Sequence, residues 1–86
     1  MQVRVHIPRS LIREAKRTQA FDPFDEAVTV AVGAPAYVGI STVGFHQADI
    51  PEIKLPRSAR RAVNKFDWGI LDKPVRFRLT IPEAKG

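Results

Sequence analysis

The chain contains no cysteine. Neither a disulfide framework nor a thiolate metal site is therefore possible; the core must hold the fold unaided, and the absence fits a reducing compartment. Histidine is scarce. His6 and His46 are the only two, and neither stands at metal-ligand spacing to the other or to a carboxylate. His6 falls on the polar side of a strand pattern and His46 in a turn, where the ordinary reading is a surface histidine. Ser10, Ser41 and Ser58 lack a nucleophile elbow of the G-x-S-x-G kind. Gly33, Gly39 and Gly44 make no phosphate-cradling fingerprint. No apolar run approaches the roughly 20 residues of a membrane span. Met1 leads straight into a strand pattern, without the charged and apolar regions of a signal peptide. These absences argue against an enzyme, a cofactor, a metal, a small-molecule substrate and a membrane partner. A soluble cytoplasmic protein is the expectation.

What the chain does have is a core's worth of apolar residues and an excess of cations. Apolar residues make up 44% of its 86 positions, too many for a disordered chain. The length sets one domain, 1–86, with 82–86 expected to fray as a tail. Fourteen Lys and Arg against nine Asp and Glu leave a formal charge of +5. That balance favours attraction to polyanions.

Local patterns place the elements. In MQVRVHIP, Val3, Val5 and Ile7 alternate with Gln2, Arg4 and His6, as in a half-buried strand. Pro8 then suits a helix start, and residues 9–19 group Leu11, Ile12 and Ala15 on one side, with Ser10 a candidate cap. AVTVAV at 27–32 looks like a strand on propensity. Its flanks favour a helix over 23–32 instead: Asp22 as N-cap, Pro23 at the first position, Asp25 and Glu26 in the first turn, and Gly33 at the close. An acid/base or metal cluster of Asp22, Asp25 and Glu26 is the sharper reading, but helix capping explains all three. A strand is predicted near 37–43, a turn at 44–49 and a shorter edge strand near 50–55, after Pro51. Residues 57–66 form a helix with Ala59, Ala62, Val63 and Phe66 inward; Trp68-Gly69 ends it. Val75, Phe77, Leu79 and Ile81 face in along the last strand, with Arg76, Arg78 and Thr80 facing out.

The order β-α-α-β-β-α-β predicts a small two-layer α+β sandwich, its sheet mainly antiparallel with helices on one face. If the first and last strands pair, Arg4, His6, Arg76, Arg78 and Thr80 share one exposed face.

Three stretches carry a resemblance: AVTVAV at 27–32, LPRSARRAVNKFDWG at 55–69 and KPVRFRL at 73–79. They resemble a family of small uncharacterised proteins of bacterial and phage genomes. Its members have a short apolar helix and a C-terminal helix ending in Phe-Asp, followed by a Gly, a Pro-Val pair and a strand with alternating Phe. The likeness covers about two-thirds of the chain, and its motifs are structural. The family commonly has Cys-Pro before the apolar helix, where this chain has Asp25-Glu26-Ala27. The resemblance implies a phage or mobile-element origin and carries over no active site.

Two surfaces remain as candidates. Arg57, Arg60, Arg61 and Lys65 recur every three or four residues on the exposed side of one helix, where fixed cations can displace counterions from phosphate and Arg can bind oxygens bidentately. Arg4, Arg76 and Arg78 extend that patch if the sheet face adjoins the helix. The competing reading is a solvated charged face. No helix-turn-helix and no base-stacking aromatic pair on the sheet is evident, so contact would be mostly with backbone phosphate. Trp68, Phe45 and Tyr37 are candidates for a protein interface, with core-capping as the alternative. The expected function is non-enzymatic binding to nucleic acid, a nucleoprotein complex or an acidic protein surface. A protein–protein module, such as an inhibitor of a host complex or an edge-strand homodimer, is the other reading.

Overall fold

The computed structural model describes residues 1–82. Of the expected frayed tail, 83–86 lie outside the described residues. The elements run β1 (Gln2–Ile7), α1 (Arg9–Thr18), α2 (Pro23–Val32), β2 (Ala36–Val38), β3 (Thr42–Phe45), β4 (Ile53–Lys54), α3 (Arg57–Asp67) and β5 (Val75–Thr80). This is a small α+β fold with antiparallel pairing throughout. The strands form two sheets: a β1–β5 ribbon and a β2–β3–β4 sheet.

The first and last strands do pair, antiparallel, with Val5 opposite Phe77 and Ile7 opposite Val75. Alternation in both strands drives this register, since a one-residue slip would turn each apolar set out to water. Val5, Ile7, Phe77 and Leu79 are buried and meet Ile12, Phe24, Val28, Ala59 and Val63 from the helices. No polar or charged side chain is buried among the described residues. Phe24 and Phe66 meet edge to face, with centroids 6.0 Å apart, and tie α2 to α3.

The helix over 23–32 forms as its flanks predict. The Asp22 carboxylate accepts from the backbone N–H of Phe24 at 2.8 Å and of Asp25 at 3.3 Å, and Gly33 closes the helix at φ +80°. Asp25 lies in the first turn of α2 as expected and also bonds outside the helix. Its carboxylate accepts from the Val38 N–H at 2.6 Å, and the Thr29 hydroxyl accepts from the Ala36 N–H at 2.9 Å. Two side chains of α2 therefore stand where a further strand would pair with β2. Ser10 does not cap α1: Pro8 holds the N-cap position and no side chain bonds the free N–H groups.

The strand predicted near 37–43 is in fact two strands and a turn. The chain reverses at Gly39–Ser41, where the Gly39 N–H donates to the Thr42 carbonyl at 2.8 Å. Tyr37 comes to lie opposite Gly44. A Cβ at Gly44 would stand 2.1 Å from the Tyr37 ring, so glycine is what lets that ring cross the strand. Gly44 and Phe45, expected in a turn, thus belong to β3. The shorter strand near 50–55 reduces to Ile53–Lys54, paired to β3.

Candidate polyanion-binding surface

The β1–β5 register places Arg4 directly opposite Arg78 and His6 directly opposite Arg76. All four side chains are exposed on the outer face, with a groove of ≈ 440 Å³ between them. The Arg4–Arg78 pair sets like charges face to face across the ladder, which destabilises it. Among the described residues the ion pairs are Arg9–Asp72 and Arg17–Glu14, both involving α1. No described carboxylate neutralises the ribbon's arginines. Glu26 lines a second groove with Arg4, His6 and Val30.

Helix α3 is charged against its own dipole. It opens with Arg57 after Pro56, places Arg60 and Arg61 next, has no acidic residue in its first turn and gains no side-chain cap. The helix N-terminus carries a partial positive charge that acts within the first turn, so Arg57 there costs about 0.3–1 kcal/mol. Only Lys65, in the last turn, is favourably placed. Helix α1 begins similarly with Arg9, but there the guanidinium makes two bonds to Asp72, at 3.3 and 3.1 Å. That contact holds the exposed Asp72 carboxyl below its ordinary range. Lys16 is engaged too, donating to the carbonyls of Gly69 at 3.4 Å and Leu71 at 2.5 Å. Arg9 and Lys16 of α1 thus brace the fold, whereas Arg57 and the facing pair Arg4 and Arg78 oppose it.

The two basic regions are continuous. Arg57, Arg60 and Arg61 line a groove with Ile40, Ser41 and Asn64. Arg61 also lines a groove with Lys65, Lys73 and Arg76. Arg76 in turn lines the ribbon groove with Arg78 and Arg4. The inner side of α3 packs on the core through Ala59, Ala62 and Val63. Continuity therefore runs around the start of β5, through Lys73 and Arg76. All seven sequence-predicted cations join this surface. Lys73 was not anticipated; its signal is a lysine just ahead of the proline that opens a basic strand. Ile40, 68% exposed beside the α3 arginines, was likewise unforeseen and carries no sequence signal of its own.

The aromatic candidates separate. Phe45 is buried in the core, so it is corrected from interface to packing residue: β3 turns it inward, toward the cluster containing Val43 and Ala36. Tyr37 is half-exposed, its ring across Gly44 and 5.3 Å from that of His46. Trp68 is 75% exposed and Ile70 60% exposed. Trp68 caps α3, and Gly69 follows at φ +75°. The Gly69 N–H donates to the Phe66 carbonyl and the Ile70 N–H to the Lys65 carbonyl, both at 2.9 Å, which is a Schellman closure. An apolar residue at the Lys65 position would cover Ile70; lysine leaves it in water.

Among the described residues no group of three or more His, Asp or Glu side chains could hold a metal ion. No helix among them is long and apolar enough to cross a membrane. No protein-family model, curated protein or solved structure matches the chain.

Proposed function

We propose that this chain is a non-enzymatic binding protein that engages nucleic acid, free or in a nucleoprotein complex, through the surface running from α3 around Lys73 to the β1–β5 ribbon. The phage or mobile-element setting is the one implied by the sequence resemblance. The observation that carries the reading is a set of cations placed where they cost stability. Arg57 sits at the positive end of a helix dipole, and Arg4 faces Arg78 across a ladder. A chain that breaks local rules at one place commonly does so for function. Phosphate would relieve both conflicts at once, because condensed counterions are released as the cations are neutralised.

Fluorescence anisotropy against a short duplex and a single strand, across a salt series, tests this. The expected result is a linear fall of log affinity with log salt, with a slope of about −0.9 per phosphate on duplex or −0.7 on single strand. Absence of binding to both at low salt overturns the proposal. A protein-binding module is the second reading, favoured by the exposure of Trp68 and Ile70. A homodimer by strand addition to the β2–β3–β4 sheet has less to build on, since β4 offers two residues and β2 is already bonded by α2.

A further inference from the structure

Tryptophan occurs once in this chain, and it is three-quarters exposed. That leaves a large apolar ring in water, while the core closes without it. Its position relative to the arginines gives it a use. At 100° per residue, positions 57, 61, 64 and 68 fall within about 60° of arc on α3, and the stripe they make is roughly 16 Å long. Arg57, Arg61, Asn64 and Trp68 are all exposed. The only carboxylate of α3, Asp67, lines a groove on the other flank with Lys16, Phe21 and Phe66. The stripe is thus a file of cations and one amide ending in an exposed aromatic plane.

Resting on the nucleic-acid reading above, we infer that α3 takes single-stranded nucleic acid, with the backbone phosphates along Arg57 and Arg61 and one base stacked on Trp68. Duplex DNA satisfies the arginines but keeps its bases paired and stacked on one another, so it has no free base face for the indole. A single strand supplies phosphate and base face together, the pairing of groove and stacking platform on which sequence-tolerant strand binding rests. The Schellman closure at Gly69 fixes the helix end beneath the indole and removes part of the ordering cost of binding. Discrimination of strand from duplex therefore comes from Trp68, and attraction to either comes from the arginines.

Because Trp68 is the sole tryptophan, its emission reports on the site directly. The intact protein is titrated with a mixed-sequence 12-nucleotide DNA strand, with the same sequence as duplex and with heparin, following indole fluorescence and anisotropy together. The expected result is quenching by the single strand alone and tighter binding of strand than duplex. Trp68→Ala should lose roughly 5- to 150-fold in affinity for the strand, the value of one stacked base, and leave duplex affinity unchanged. Trp68→Phe should recover part of the loss. Equal affinity for both forms with unchanged emission overturns the stacking role but leaves the arginine surface standing. So does quenching by heparin as strong as that by the strand. If neither nucleic acid binds at low salt, both readings fall together.

Discussion

Reversing Arg57 and Arg78 together, Arg57→Glu with Arg78→Glu, should make the protein more stable while abolishing its hold on polyanions. Arg57 is the first residue of α3, beside unbonded N–H groups and with no acidic neighbour in that turn. Replacing an unfavourable cation there by a favourable anion is worth about 1 kcal/mol at low salt. Arg78 faces Arg4, and glutamate in its place turns a repulsive cross-strand pair into an attractive one, worth ~0.2–1 kcal/mol. The two sites share no partner, so the gains add to about 1–2 kcal/mol. For a domain of this size each kcal/mol raises Tm by roughly 4–8 °C. Thermal melts at 20 and 500 mM salt would read the effect, which should shrink as salt screens it. Anisotropy on the same samples would read binding. Arg13→Glu with Lys54→Glu makes the same change in net charge at two exposed cations outside the surface, and should spare most of the affinity. A fall in Tm for the first double variant would refute the reasoning, because it would mean these arginines hold the fold. Equal loss of binding in both double variants would mean that net charge, not this surface, attracts the ligand.

Other perturbations probe separate parts of the structure. Burial holds the Asp25 carboxyl above its ordinary range, although the Val38 N–H and His46 pull the other way. Asp25 thus contributes stability that is full below the unfolded pKa, near 4, and is lost as pH rises through its folded value. The stability of Asp25→Asn relative to the parent should therefore rise between pH 3 and 6 in urea melts; a fall over that range would show that the Val38 bond outweighs burial. Gly69→Ala should cost about 1 kcal/mol by chemical denaturation, because φ +75° is strained for alanine while its methyl meets no atom within 4 Å. Phe24→Ala, at a ring only 1% exposed, should cost ~3–5 kcal/mol. Trp68→Ala should stay within about 0.5 kcal/mol of the parent in the same assay; a larger loss would place the indole in the packing.

Some of this structure was readable in the residues and some was not, for physical reasons. The ribbon was legible because Val3, Val5 and Ile7 and then Val75, Phe77 and Leu79 alternate cleanly, and each strand needs the other to cover its edge. The helix over 23–32 was legible despite its β-branched residues, because Asp22, Pro23 and Gly33 mark both ends. The break at Gly39–Ser41 was not. It lacks an Asn-Gly or Asp-Gly turn, and it interrupts a β-branched run that reads as one strand. What reverses the chain is tertiary: Tyr37 lying over Gly44, and Asp25 and Thr29 bonding β2 from the side. Phe45 went astray with that turn. The seven cations could be named from spacing alone, but their union around Lys73 depends on how α3 sits against β5. The exposure of Trp68 was offered by its place after a helix end; its alignment with Arg57 and Arg61 follows once α3 extends to Asp67.

Asp25 and Thr29 also bear on what happens when many copies gather. A polyanion that collects a basic protein raises its local concentration, and any unpaired strand border then becomes a seed for sheet growth from copy to copy. On the β2 side those borders are occupied from within by two side chains of α2. On the opposite side the sheet ends in the two residues Ile53–Lys54, one of them charged and the run too short to template a neighbour. On the proposed reading, copies gathered along a nucleic acid would find in this sheet no border on which to grow a fibril.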